Sequence, residues 1–418
     1  MTRNREILSL VIALGATALA FLLVGLGKNG SFDLVGLRLA AFLSAAFILL
    51  HLFIRQRVPC ADQSILPIVA LISGLGAAEV YRIDPASGRA QVLWLIIGTL
   101  AAIFALFLVR RYEILKRYKY SIALAGLTLL LLPIFIGRDH FGAKLWLQMG
   151  PLSFQPAELA KVLMVIFFAA YLEEKRELLA VSTKRLLGVW LPEMKHLGPL
   201  LTMWAVSLAV LVFEKDLGTS LLFFAAFLAV LYVATGRPIY TAIGAVLFLG
   251  GATAAYFLFS HVRVRVDIWL NPWLDAQGHS YQLVQSILAI ASGGLTGSGL
   301  GRGYPDFIPA VHTDFIFSAL AEELGFAGAL AILVSYLLFM ARGFRTAIAS
   351  GDAFGKLLAA GLTAVFSLQA LIILGGVSSV IPLTGITLPF MSYGGSSVLA
   401  NFILLAILIE VSDSGSRS

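Results

Sequence analysis

Charge is scarce in this chain. Asp, Glu, Lys and Arg make up 13% of its 418 residues, against roughly 25% in soluble domains. Long hydrophilic stretches are missing too. Every break between apolar runs is shorter than a domain of ~100 residues, so no sizeable soluble domain is left over. Cysteine is nearly absent: Cys60 is the only one, which excludes an intrachain disulfide and a cysteine-based zinc site. The net charge of +7 does not point to nucleic acid. Most Lys and Arg sit in short loops at the ends of apolar runs, where the positive-inside bias puts them.

What the chain has is hydrophobic sequence, 59% of it. Apolar runs fall near 7–27, 34–54, 64–82, 91–109, 119–137, 157–172, 197–213, 217–235, 238–260, 314–341, 354–380 and 392–411. A membrane helix needs ~20 apolar residues. The runs predict an all-α, polytopic membrane bundle of about twelve helices. The first run is too long for a cleaved signal peptide, and no small-x-small site precedes Lys28, so it reads as a retained span. Alternate loops form two sets. One holds Arg3, Arg5, Arg55, Arg57, Arg110, Arg111, Lys116, Lys175, Arg342, Arg345 and others; the opposite set is poorer in cations. The richer set is expected on the cytoplasmic side, with both termini, and the Trp-, Pro- and Gly-bearing loops outside.

One stretch organises the rest. From Arg263 to Thr313 the chain leaves the apolar pattern for about fifty residues, and a connection this long is more often functional than filler. It re-enters at Asp314, with Glu322 and Glu323 about 12–14 Å deeper at ~1.5 Å per residue. Intramembrane carboxylates are costly and suggest function unless a partner neutralises them. Asp314 or Thr313 would also serve as a helix N-cap. GGLTGSGLGRG (293–303) lacks the Lys-Ser/Thr of a P-loop and reads as a flexible or close-packed re-entrant segment.

Three further breaks stand out. In the 138–156 loop Trp146 suits a membrane interface. Just beyond it Pro156 marks a helix start, and Glu158 and Lys161, at i and i+3, share a face. They are either an internal ion pair or a cation offered to an anionic headgroup. FEKDLGT (213–219) is a tight hairpin in which Asp216 is placed to cap the next helix. IPLTGITLPFMSYGGSS (381–397) interrupts an apolar run with prolines and glycines. Irregular backbone at membrane depth survives only where it lines a protein-enclosed cavity; small-residue helix packing is the other reading. Ser392 and Tyr393 are candidate substrate contacts there.

Several stretches together carry a resemblance: GAKLW with FQPAELAK, DLGT, NPWLD…YQLVQSILAIASGGLTGSGLG, HTDFIFSALAEELG and PLTGITLPFMSYGGSS. From about Ile65 onward the chain resembles the SEDS family (shape, elongation, division and sporulation; the FtsW/RodA/SpoVE group). The resemblance implies a core of ten spans in 61–418 that includes the outer loop 261–313, preceded by two extra helices in 1–60. It implies a peptidoglycan glycosyltransferase of the bacterial cytoplasmic membrane. Such an enzyme polymerises lipid II, a disaccharide-peptide on undecaprenyl diphosphate, beside a class B penicillin-binding protein. The family's essential loop aspartate falls on Asp314 and its tryptophan on Trp146. Its helix Glu and Lys fall on Glu158 and Lys161, and its paired glutamates on Glu322 and Glu323. Departures mark a divergent branch: Lys144 and Leu145 where two basic residues are usual, Glu214 and Lys215 where Gln-Pro is usual, and no Asn around Ile372–Gly375.

Inverting transfer to a sugar hydroxyl needs a base, for which Asp314 is the choice. It also needs positive charge at the leaving diphosphate, with Lys161, Arg263, Arg265 and Lys144 as candidates. No organic cofactor is implied; a divalent cation, Mg or Mn, would share the charge. The competing readings are a lipid II flippase, whose broken helices and buried carboxylates would look similar, another polyprenyl-diphosphate glycosyltransferase, and a non-catalytic scaffold.

Overall fold

The computed structural model describes residues 3–416 apart from 110, 141–142, 150–151, 181–183, 187–188, 192–193 and 214–215. Each of the twelve apolar runs falls on a long helix. These are α1 (Asn4–Asn29), α2 (Leu34–Arg57), α3 (Ile65–Ile83), α4 (Pro85–Leu108), α6 (Lys119–Ile136), α7 (Pro156–Ala180), α8 (Met194–Phe213), α9 (Leu217–Thr235), α10 (Pro238–Leu258), α13 (Ile316–Ala349), α14 (Ala353–Val377) and α15 (Gly395–Gly415). Shorter helices α5 (Glu113–Arg117), α11 (Ser260–Leu270) and α12 (Tyr281–Ser292) lie between them. Among the described residues, ten helices are long and apolar enough to cross a membrane; α7 and α8 are the two of the twelve outside that set. In α7 the first eighteen residues carry Glu158, Lys161 and Glu173.

Aspartates set many helix starts. Asp33, Asp84, Asp216 and Asp352 accept backbone N–H bonds from the first turns of α2, α4, α9 and α14. Such caps satisfy donors that have no partner inside the helix. The expected capping role of Asp216 is what the structure contains, with Thr219 N at 3.0 Å.

α3, α14 and α15 form the interior, with more than 80% of each apolar window buried, against 6% for α10. Glycines let them approach closely: a Cβ at Gly98 of α4 would collide with the Phe402 ring of α15. α1 packs along α3, and α2 against α4. The two N-terminal helices therefore lie on the bundle rather than apart from it.

The loops sort to two ends. At one end Arg3 donates to the carbonyls of Val58 and Ala61, Arg342 lies 3.5 Å from Asp62, and Lys116 lies 2.6 Å from Glu173. At the other, Lys28 donates to the Arg82 carbonyl, and Asp314, Arg265 and residues 378–394 collect. The alternation read from the sequence is thus preserved in space.

Three features differ from expectation. The 138–156 loop is an antiparallel meander of β1 (Arg138–His140), β2 (Ala143–Met149) and β3 (Leu152–Phe154), and a second hairpin pairs β4 (Lys184–Leu186) with β5 (Val189–Leu191). The helix expected from Asp314 begins at Ile316, and it is broken at Gly325, where φ is 66° and ψ −169°. The glycine-rich stretch fills that break: Phe326 N donates to Gly294 O, Ala327 N to Leu295 O, Ser298 N to Glu322 O and Gly299 N to Glu323 O. It is close-packed, not open. A Cβ at Gly297 or Gly325 would collide with the opposing backbone, so glycine is required there on both steric and conformational grounds.

Candidate functional site

Asp314 is not a helix cap. No side chain caps the start of α13, and Thr313 Oγ1 donates back to Ala310 O. The Asp314 carboxylate is partly buried and faces the guanidinium of Arg265 on α11. Gly385, at φ +71°, is close to both: a Cβ built on it would sit 3.7 Å from Asp314 Oδ2 and 3.8 Å from Arg265 Nη2. Burial pushes the Asp314 carboxyl up to about 6, with Thr313 and Arg265 opposing the rise. Burial also lowers the Arg265 guanidinium from its ordinary value, opposed by the charges of Asp216 and Asp314.

Arg265 is fixed by backbone. Its Nη1 donates to Thr384 O at 2.9 Å and to Leu383 O at 3.4 Å. Asp216, at the start of α9, is its second acidic neighbour. One oxygen of Asp216 caps Thr219, and the other is buried without a hydrogen-bond partner.

The segment between α14 and α15 is irregular, as its prolines and glycines predict, and side chains hold it from all sides. Trp269 Nε1 donates to Ser379 O, Gln369 Nε2 to Thr387 O, Tyr336 OH to Pro389 O and Gln91 Nε2 to Ser392 O. Irregular carbonyls inside a bundle need such partners. Ser392 turns its hydroxyl inward to accept from Leu388 N. Tyr393 N donates to His312 O at 2.8 Å, and the two rings lie 5.6 Å apart. Tyr393 thus ties this segment to the loop that carries Asp314.

Lys161 is buried. Its Nζ lies 2.5 Å from Glu158 Oε2 and 2.6 Å from Gln369 Oε1. The path continues through Thr387 to Ser397 and Asn401. The ion-pair reading of Glu158 and Lys161 is what is present, and Gln369 links it to the irregular segment. Sequence reasoning missed Gln369 and Gln91. Each is a lone amide in an apolar run, and the cost of an unpaired polar group in lipid was the available signal.

The remaining candidates lie elsewhere. Arg263 is exposed and turns back on the end of α10, 3.2 Å from Phe257 O. Glu323 accepts from Gly301 N at 2.7 Å and Gly303 N at 3.1 Å, and lies 2.7 Å from Arg82 Nε. Glu322 accepts from Tyr304 N at 2.9 Å. Both glutamates brace the glycine-rich segment. Glu79 and Arg82 of α3 are neighbours of Glu323 that the sequence reading did not connect to it. Trp146 is half-buried on β2, opposite Arg138. Lys144 is on the same strand; its side chain, like residues 214–215, lies outside the described part. No group of three or more His, Cys, Asp or Glu side chains among the described residues is placed to hold a metal.

Comparisons with known proteins agree on one relationship. The family model described as cell cycle protein, FtsW/RodA/SpoVE, matches residues 58–417. A peptidoglycan glycosyltransferase RodA of Mycobacterium tuberculosis is 45% identical, over 99% of this chain and 91% of its own. Stage V sporulation protein E of Bacillus subtilis is 33% identical over 68% of this chain and 75% of its own. Among solved structures, a chain from a work on the coordination of polymerization and crosslinking by a peptidoglycan synthase complex superposes with a TM-score of 0.70. It is 29% identical and covers 86% of this chain and 99% of its own. The rod shape determining protein RodA of Thermus thermophilus superposes at 0.60, with 28% identity over 84% of this chain and 96% of its own. This chain, a multi-pass membrane protein, belongs to the FtsW/RodA/SpoVE family.

Proposed function

We propose that this protein is a peptidoglycan glycosyltransferase that joins lipid II units into glycan strands, with Asp314 as its general base. The observation that carries the reading is the Asp314–Arg265 pair, a carboxylate uncommitted to helix capping beside a guanidinium fixed by Thr384. A base is most useful when its pKa lies near the working pH, and burial brings Asp314 to about 6.

The step balances simply. The acceptor sugar hydroxyl gives its proton to Asp314 while its oxygen bonds to the donor anomeric carbon. The bond from that carbon to the lipid diphosphate breaks, and the electron pair leaves with the diphosphate. In this reading Arg265 meets that negative charge, and charge stabilised where it develops is usually the largest catalytic term. Lys161, neutralised by Glu158, is a positioning residue for the 378–394 segment in this scheme. A divalent cation, if used, would supply further positive charge where the diphosphate leaves. Trp146, on the β meander, is read as a substrate contact near the headgroup.

The positive-inside bias places the Arg3 and Arg342 end in the cytoplasm, so the Asp314 end faces outward. A class B penicillin-binding protein is the proposed partner. The likeness to a chain of a peptidoglycan synthase complex supports it.

The test is polymerisation of purified lipid II by the detergent-purified protein, with and without a class B partner. Wild type should give glycan ladders and Asp314→Asn a rate about 10²–10⁴-fold lower, with lipid II binding retained. Ladders from both would remove Asp314 as base. No ladder from either, with binding intact, would favour a flippase or scaffold.

A further inference from the structure

The bundle end opposite Asp314 contains a cavity of about 820 Å³, lined by Arg5, Asp62, Arg342, Arg345, Thr346 and Ser412 among others. It lies between α1, which precedes the family-matched residues, and the ends of α3, α13 and α15 within them. Its walls are fixed. Asp62 N donates to Ser412 Oγ at 2.8 Å, Cys60 N to Asp413 Oδ1 at 2.7 Å, and Arg3 to the carbonyls of residues 58, 59 and 61.

Charge in the cavity is unbalanced. Three guanidiniums face one carboxylate among its lining residues, and Asp62 is already engaged by Arg342 at 3.5 Å. Arg5 and Arg345 are exposed and form no ion pair among the described residues. Guanidiniums that line one cavity from two helices suit a phosphate, which accepts their planar N–H forks bidentately.

The surroundings choose between a dissolved phosphate and one on a lipid. Next to Ser9 of the lining, Leu8 of α1 is 65% exposed. On α13, Ile348 is 79% exposed, close to Arg345 and Thr346. Both helices are long and apolar enough to cross a membrane, and these exposed apolar side chains lie within a turn of the lining residues at the helix ends. Basic pockets between membrane helices on the cytoplasmic side suit anionic lipid headgroups.

We propose that this cavity binds the phosphodiester headgroup of an anionic membrane lipid, held by Arg5 and Arg345, with the acyl chains against Leu8 and Ile348. The site is separate from the one at Asp314 and stands whether or not the catalytic reading does. It gives α1 a function: its first turn supplies one of the two free guanidiniums.

The test is native mass spectrometry of the full chain in detergent, titrated with phosphatidylglycerol, phosphatidylcholine or water-soluble glycerol phosphate. Wild type should retain phosphatidylglycerol over phosphatidylcholine. The R5A/R345A chain should lose about 25-fold in affinity, at about fivefold for each basic residue, and R5K/R345K should fall between the two, because an ammonium keeps the charge but not the bidentate fork. Arg5→Glu alone, a change the start of a helix tolerates, should weaken binding further than Arg5→Ala. Equal affinity of wild type and R5A/R345A for phosphatidylglycerol would overturn the proposal. So would equal retention of both lipids, or displacement of the lipid by glycerol phosphate at matching concentration, which would make the ligand a free anion.

Discussion

Gly385 lies where its missing side chain would stand 3.7 Å from Asp314 Oδ2. Two consequences follow from that placement. A Cβ there makes ordinary contact rather than a clash, but φ of +71° costs an L-residue about 1–2 kcal/mol. It would also stand within 4 Å of both Asp314 and Arg265. Gly385→Ala should therefore fold, with a lowered melting temperature, and lose far more activity than stability. Lipid II polymerisation beside a melting curve checks this; full activity in Gly385→Ala would show that substrate does not approach Gly385.

The pH dependence follows from the same pair. Burial raises the Asp314 carboxyl from its ordinary value to about 6, and a base must be deprotonated to act. The acid limb of kcat/KM should fall away below about pH 6, well above the range of an exposed aspartate. Arg265 opposes the rise. Removing its charge in Arg265→Gln should move the limb to higher pH, besides lowering the plateau. A limb that stays put would mean that the titrating group is not Asp314.

How much of this was legible beforehand differs from element to element. The twelve helices were readable because lipid demands ~20 apolar residues per crossing, and that demand is written residue by residue. The irregular backbone at 381–394 was readable from its prolines and glycines, and Asp216 from its place before an apolar run. The β meander around Trp146 was not, because strands this short carry almost no periodic signal. Arg263 and Arg265 looked equivalent. Their separation comes from the direction of α11, which turns Arg263 back on Phe257 and Arg265 toward Thr384. Glu322 and Glu323 stood out because intramembrane carboxylates suggest function unless a partner is found. Their partners, the backbone N–H groups of residues 301–304, lie about twenty positions away, and no local pattern announces such a contact.

That placement makes a prediction about Glu323. It accepts two backbone N–H bonds and pairs with Arg82. Removing one partner of a buried pair costs about 3–5 kcal/mol. Glu323→Ala should lower the melting temperature strongly, and the KM for lipid II in the surviving folded fraction should be unchanged. A raised KM with normal stability would make Glu323 a substrate contact.

The Glu158–Lys161–Gln369 group separates a structural from a substrate-binding lysine. Lys161 is buried, with Glu158 at 2.5 Å and Gln369 at 2.6 Å. Lys161→Met alone strands a buried carboxylate and should cost about 3–5 kcal/mol. Adding Glu158→Gln removes that charge, so the double variant should regain most of the lost stability, because a buried pair replaced as a unit is often neutral. Activity decides the role. If Lys161 only positions the 378–394 segment through Gln369 and Thr387, activity should return in parallel with stability. Gln369→Leu, which keeps the ion pair, should then mimic the functional loss of Lys161→Met. If the double variant is stable but dead, Lys161 meets the leaving diphosphate itself. A melting curve and a polymerisation rate for the four chains are sufficient to separate the two.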